Sequence, residues 1–443
     1  MDNLTSLQRR LSEAVDALEP ELVAWRRDLH RHPEPGWTEF RTSAVVVEEL
    51  RRLGLPVRVG REVVRAEARM GVPPQDAIDA AFERAVAEGA PRAVVEPMAG
   101  GLTGAVARIK GGAPGPTVAL RFDIDALEVS EAEGDGHRPW REGFASAHPG
   151  AMHACAHDGH TAIGLGVARA IQGVRERWPG EVVLVFQPAE EGGRGARAMV
   201  EAGVVDGCDA LICAHLGIGS EGTGHLVGGL SGFLPSRKYD AAFTGREAHA
   251  GAEPHAGASA LLGAANAALN LHAIPRHALG ATRVNVGVLH AGTARNVVPG
   301  RAVMGFEVRG ETDELLAYMD GRARAVLEGA AAMYGLGLEV EPMGAAPGAA
   351  SDAEMIRRAR RVAGAVPEVT GFTDTRPLGA SEDATYLMRR VQERGGLATY
   401  MLIGTELSSG HHTRTFDIDE ASLAIGVKAM ALLALDVAAR PAP

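Results

Sequence analysis

Three short, nearly unbroken apolar runs constrain this chain more than any other feature. They are Thr117-Val118-Ala119-Leu120-Arg121-Phe122, Glu181-Val182-Val183-Leu184-Val185-Phe186 and Ala210-Leu211-Ile212-Cys213-Ala214. Runs of five or six residues bounded by polar or turn-forming residues read as strands, and strands without polar alternation are covered on both faces. Stretches with apolar residues at helical spacing lie between them, at 160–172 and 194–203. Strands alternating with helices predict an α/β domain with a mostly parallel sheet. Upstream, 4–19, 21–30 and 42–53 also carry the helical period. Pro20 is expected to separate the first two, as a break or as the first residue of a new helix.

The pattern changes near residue 236. Tyr239–Thr244, Arg283–Leu289 and Val303–Val308 look like half-exposed strands, with helical segments at 258–272 and 313–333. This block predicts an inserted, smaller α+β domain over 236–341, an antiparallel sheet with two helices on one face. The larger domain is then 1–235 together with 342–443. Residues 61–104 fit neither pattern and read as an insertion within the larger domain, with a helix over Gln75–Ala90 behind Pro73-Pro74.

A chain of 443 residues is long enough for two cores. Its formal charge of −11 repels phosphate backbones and anionic membranes, and aromatic residues at 4% are too few to form a stacking platform. Nucleic acid and membrane are therefore not expected partners. No run reaches the ~18 apolar residues of a membrane span, and the N-terminal segment lacks a signal-type apolar core. Three cysteines make no disulfide scaffold, which fits a reducing cytoplasm.

The chemistry concentrates in Met152-His153-Ala154-Cys155-Ala156-His157-Asp158-Gly159-His160. Cys155 and His157 alternate, so an extended backbone points both to one side. A thiolate and an imidazole so placed can hold one divalent ion or bridge two. Glu190 and Glu191 follow a strand, where adjacent carboxylates repel unless a cation lies between them or one serves as a base. His215 ends the third strand. His411 and His412 sit in a polar loop before Phe416-Asp417. Asp123 and Asp125 leave the first strand at i, i+2, although acidic residues are poor strand formers; orienting a ligating histidine is a reason for them to be there, and a plain strand-end turn is the alternative. Taken singly, these pieces also read as a polar helix start, a solvated acidic turn, a structural histidine and a polar loop. Their joint occurrence at the ends of successive strands argues for metal.

These motifs, with His249 flanked by alanines, Asn296-Val297-Val298-Pro299 and Gly379-Ala380-Ser381-Glu382-Asp383, resemble the aminoacylase / carboxypeptidase G-like metallopeptidase superfamily. Within it they look like the amidohydrolase branch, and closest to its members of the aminobenzoyl-glutamate utilisation type. Trp25-Arg26-Arg27-Asp28-Leu29-His30, Gly60-Arg61-Glu62-Val63-Val64, Phe144-Ala145-Ser146 and the 61–104 insertion carry that narrower likeness. The resemblance covers essentially the whole chain.

It implies two divalent ions per site, Mn2+ or Zn2+, held by Cys155, His157, Glu191, His215 and His412. Glu190 would take the place of the general base, and Asp125 that of the aspartate orienting the ligands. His249 would help hold the oxyanion in a partner's site, and Asn296 and Arg309 would bind the substrate carboxylate. The 236–341 block would be a dimerisation or lid domain. The implied reaction is hydrolysis of an N-acyl amino acid, an aminobenzoyl-glutamate-type amide first. Broader acyl-amino-acid deacylation is the alternative, as is a chain that needs a related partner chain for activity. A homodimer is the other assembly implied. One position departs from the family: Ala156 stands where glycine is usual. A positive φ there would cost on the order of 1 kcal/mol.

Overall fold

The three apolar runs become the middle of an eight-stranded sheet. The structure, a computed structural model, describes residues 2–219 and 221–439. In chain order its strands are β1 (Val57–Val59), β2 (Ala105–Lys110), β3 (Ala113–Asp123), β4 (Pro179–Gln187), β5 (Ala210–Leu216), β6 (His225–Ser231), β7 (Ser236–Thr244), β8 (Thr282–Ala291), β9 (Arg301–Gly310), β10 (Gly337–Ala346), β11 (Gly371–Pro377) and β12 (Leu397–Ile403). The large sheet has the order β1-β2-β4-β3-β5-β12-β6-β11. Its centre, β4-β3-β5-β12, is parallel throughout, whereas β2 and β6 pair antiparallel with β4 and β12. The fold is thus an α/β domain with a mostly parallel sheet.

Strand β6 was not expected from the sequence, because Gly228 and Gly229 interrupt its apolar run. Both glycines are there for close approach: a Cβ on either would meet Phe372 or Ser351 side-chain atoms at 2.6 Å.

Helices cover the sheet. Asp2–Arg31 is one continuous helix with Pro20 inside it, so the expected separation at Pro20 does not occur. The apolar face made by Leu7, Leu11, Val15, Leu22 and Leu29 is buried along its length. Packing of that face against the helices His157–Gly173 and Ala421–Ala439 outweighs the ~3 kcal/mol that an interior proline costs. Among the described residues, Ala421–Ala439 is the helix long and apolar enough to cross a membrane, and 89% of its most apolar 18-residue window is buried within the protein.

Within 61–104 the helix is Gln75–Ala87, ending three residues before the expected limit, ahead of Gly89 at φ +97°. Its face of Ile78, Ala81 and Ala85 is buried in the core of the large unit, and Phe82 meets the Phe40 ring edge-on at 5.3 Å.

The second compact unit comprises Gly232–Gly348 and Gly379–Glu382. It holds a four-stranded antiparallel sheet, β10-β7-β9-β8, with helices Ala260–His272 and Asp313–Tyr334 around a separate core. It extends beyond the 236–341 block because β10 runs to Ala346. The 379–382 segment also returns to it, with the Leu234 N–H donating to the Ala380 carbonyl at 2.8 Å.

Candidate metal centre

Four parallel strands deliver their carboxyl ends to one edge of the large sheet, the position where open α/β sheets place their sites. β3 and β4 end side by side at Asp123 and Gln187, and His215 of β5 lies opposite Leu402 of β12. The chain after β3 loops out and returns: Leu127 and Met152 exchange two backbone hydrogen bonds of 3.0 Å, which brings Cys155 back toward Asp125. The backbone then turns through Ala156, at φ +67°, directly into the helix that His157 begins. The loop after β12 is tied to this turn by a hydrogen bond from the His412 N–H to the Ala154 carbonyl, 2.8 Å.

Seven of the expected site residues, Asp125, Cys155, His157, Glu190, Glu191, His215 and His412, therefore come together within the large unit. Candidate ligand atoms of Cys155, Glu191 and His412 lie within 4.8 Å of one another, as do those of His157, Glu190 and Glu191. His215 joins both Cys155 and His157 through two further groups, Cys155–His215–His411 and His157–His160–His215. Cys155 Sγ is 3.5 Å from His215 Nε2, and His412 Nε2 is 3.5 Å from Glu191 Oε1. Both His411 and His412 reach the cluster. His411, however, donates its Nε2 proton to the Leu216 carbonyl at 3.1 Å, while His412 is half exposed beside Glu191.

Asp125 organises the acidic turn. Its two carboxylate oxygens accept the backbone N–H groups of Glu190 (2.9 Å) and Glu191 (3.0 Å). Its backbone carbonyl accepts the Nδ1 proton of His157 at 2.8 Å. His215 likewise donates from Nδ1 to the Leu216 carbonyl at 2.8 Å. Each Nδ1 so engaged leaves Nε2 as the nitrogen facing the cluster, the arrangement of a metal-binding histidine.

Two atoms test whether cations fit. His157 Nε2 and Glu191 Oε1 are buried without a hydrogen-bond partner, and a buried polar atom is costly to leave unpaired. Charge gives the same answer. Burial opposes a protonated His157, yet Asp123 and Asp125 outweigh it and hold its pKa up at about 10. Burial, with Glu191 and Glu190, pushes the Cys155 thiol well above its ordinary range. Burial, with His160 and His411 nearby, pushes His215 well below its own. Around His157 and Cys155 the carboxylates thus favour positive charge, and soft and borderline donors gather there, which suits divalent transition ions.

Asp123, read from the sequence with Asp125 as a residue orienting a histidine, belongs to this centre, as does His160, which was given no role of its own. The Asp123 carboxylate pairs with His160 Nδ1, and His160 Nε2 accepts the Leu216 N–H at 2.9 Å. The i, i+3 spacing of His157 and His160 on one helix was the available signal.

The remaining three expected residues lie in the second unit. His249 is exposed and pairs with Val297, so that the Ala250 N–H donates to the Asn296 carbonyl at 2.9 Å. Its Nδ1 accepts the N–H groups of Gly251 (3.1 Å) and Ala252 (3.0 Å), which leaves the ring proton on Nε2. Asn296 is also exposed. Arg309 is engaged along its own strand: Nε and Nη2 donate to the two Glu307 oxygens at 2.9 and 3.0 Å.

A two-domain α/β hydrolase with a metal-type site at the ends of its parallel strands is the class that this fold and cluster define. The chain belongs to peptidase family M20/M25/M40, whose model matches residues 119–436, and it is a hydrolase of amide bonds. It is 50% identical to the indole-3-acetyl-aspartic acid hydrolase of Enterobacter agglomerans, over 96% of this chain and 98% of that one. It is 47% identical to a protein of Escherichia coli strain K12 named as one subunit of p-aminobenzoyl-glutamate hydrolase, with the same coverage. The crystal structure of the aminobenzoyl-glutamate utilization protein from Klebsiella pneumoniae superposes with a TM-score of 0.84 at 41% identity, covering 98% of this chain and all of that one. A dinuclear metal-binding M20 peptidase from Bacillus subtilis superposes with a TM-score of 0.65 at 26% identity, covering 96% and 99%.

Proposed function

We propose that this protein hydrolyses the amide bond between a planar aromatic acyl group and a dicarboxylic amino acid, with p-aminobenzoyl-glutamate the first candidate. The observation that carries the amidohydrolase reading is the convergence of Cys155, His157, Glu191, His215 and His412 around two buried, unpaired ligand atoms, with Glu190 beside them. The substrate class rests on what two relatives are named for. Indole-3-acetyl-aspartate and p-aminobenzoyl-glutamate share an aromatic acyl part and an acidic amino acid.

Two ions, zinc or manganese, would be held by those five residues, Cys155 among them. Bound there, divalent cations would lower the pKa of a water and polarise an amide carbonyl. Glu190 accepts a proton from the attacking water and passes it to the leaving nitrogen. Asp125 fixes the Glu190–Glu191 backbone, so that one carboxylate ligates while its neighbour faces the water. His249, with its proton on Nε2, is the donor for the developing oxyanion in a partner chain's site. Asn296 and Arg309 receive the substrate carboxylate, for which the Arg309 fork would have to exchange or share Glu307. Because the Escherichia coli relative is named as part of a larger enzyme, the working assembly is a homodimer or a pair with a related chain. We place it in the cytoplasm.

The test is metal analysis of the purified protein together with hydrolysis of p-aminobenzoyl-glutamate, indole-3-acetyl-aspartate, hippurate and an N-acetyl amino acid. Two ions per chain and preference for the first two substrates are expected. A preference for simple N-acetyl amino acids would favour a general deacylase.

A further inference from the structure

An arginine lies on the buried face of the N-terminal helix, between Leu22 and Leu29. Arg26 has no exposed surface at all. Burying a guanidinium costs several kcal/mol unless its protons find acceptors. Here Nε donates to Asp158 Oδ2 at 2.9 Å, Nη2 to Asp417 Oδ1 at 2.7 Å and Nη1 to Glu420 Oε1 at 3.4 Å, and the guanidinium sits 5.0 Å over the Phe144 ring. Its carboxylate partners come from two separate parts of the chain, and Nη2 also lies 3.3 Å from His30 Nδ1 on its own helix. Asp158 directly follows His157 and accepts the Gly159 N–H at 2.8 Å, in the first turn of that helix. Asp417 and Glu420 close the loop that carries His412, and Arg138 braces the same loop through Asp417 and the Ile418 carbonyl.

We propose that Arg26 is a positioning residue that fixes the spacing between the two halves of the metal centre, Cys155–His157 on one side and the His412 loop on the other. The geometry is what a planar fork supplies and a point charge does not: different edges of one rigid group address the helix start and the loop. No partner of Arg26 is itself a proposed ligand, so the residue acts through backbone placement. A buried apolar side chain would pack the same space without linking the two segments.

This inference rests on the two-ion reading above. The test titrates apo protein with Zn2+ and with Mn2+ by calorimetry, for wild type, Arg26→Met, Arg26→Lys and Asp417→Asn, with folding followed by circular dichroism. Lys428→Met serves as a control, since Lys428 is also buried in an ion cluster, with Asp16 and Glu368. Wild type is expected to bind two ions. Arg26→Met and Asp417→Asn should weaken one of the two on the order of 10- to 100-fold, the usual range for groups that orient ligands. Arg26→Lys should fall between them and wild type. Lys428→Met should lower the melting temperature with both affinities unchanged. The proposal is overturned if folded Arg26→Met or Asp417→Asn binds both ions as wild type does. Asp417→Asn alone decides the matter if Arg26→Met does not fold. Fewer than two ions on wild type would instead refute the two-ion reading.

Discussion

His157 donates its Nδ1 proton to the backbone carbonyl of Asp125 at 2.8 Å. That single bond fixes both the tautomer and the aim of the ring. Because the Asp125 side chain simultaneously accepts the N–H groups of Glu190 and Glu191, one residue registers an imidazole and two carboxylates against each other. The consequence is a division of labour between the two glutamates. Glu190→Gln should leave metal content and folding intact and lower kcat by roughly 100- to 10,000-fold, as loss of a general base does. Metal analysis alongside steady-state kinetics checks it. An active variant that has lost metal would exchange the roles of Glu190 and Glu191.

Cys155 faces Glu191 and His215 while its thiol is held protonated by burial and by the neighbouring carboxylates. Taking up a divalent ion must then release that proton, so apparent metal affinity should rise with pH. Calorimetry in buffers of different ionisation enthalpy reads the proton directly. Cys155→Ser should lower metal content and activity together. If chelation leaves the labelling of Cys155 by thiol reagents unchanged, the residue is a structural cysteine.

Ala156 adopts φ +67°, a region that costs a residue with a Cβ on the order of 1 kcal/mol. Ala189 and His412, both at the same centre, share this sign of φ. Such outliers gather where surrounding structure holds a site in place. Ala156→Gly should therefore raise the denaturation midpoint by an amount equivalent to up to about 1 kcal/mol, less what glycine costs the unfolded chain. Metal stoichiometry should be unchanged. A lower midpoint would mean that the turn carries no strain.

The parts of this protein that were legible in the sequence are those with a local signature. Val118–Phe122, Val182–Phe186 and Leu211–Ala214 revealed their strands because burial on both faces leaves a solid apolar run. Cys155 and His157 stood out by density alone. What stayed hidden depends on tertiary context. Pro20 broke no helix because a buried face outweighed it. Gly228 and Gly229 hid β6 because their purpose is to admit Phe372 and Ser351. Arg26 gave no sign of being buried, since its acceptors come from residues 158, 417 and 420. Arg309 was read as a binder of a carboxylate, and the strand's two-residue period also sets Glu307 beside it.

The Nε2 proton of His249 is presented outward from an exposed loop of the second unit. If it serves the site of a partner chain, two variants inactive for different reasons should rescue each other. Co-assembled Glu190→Gln and His249→Ala chains contain one kind of mixed site with both residues intact. Partial recovery of turnover is expected in a verified mixed dimer. No recovery there would remove His249 from any site formed between protomers.

The helix of the 61–104 segment docks Ile78, Ala81 and Ala85 on the core of the large unit. Around them, Trp37 donates its indole N–H to the Met70 carbonyl at 2.9 Å, and Arg69 donates to the Gly100 carbonyl at 2.7 Å. Glu88, just beyond the helix, accepts from His148 at 2.7 Å, within the loop that leads to Cys155. The segment is therefore part of the scaffold as well as a neighbour of the site. Ile78→Ala should cost about 2–5 kcal/mol, as for other buried large-to-small changes. Replacing 66–99 by a short Gly/Ser linker should prevent stable folding, because it strips Phe40 of its packing partner Phe82 and removes Val95 from the core. Glu88→Gln separates the second role, since it keeps the core. We expect it to change the ratio of p-aminobenzoyl-glutamate to N-acetyl-amino-acid hydrolysis with little change in stability. A folded, active linker variant with an unaltered substrate ratio would show that the segment neither supports the core nor reaches the site.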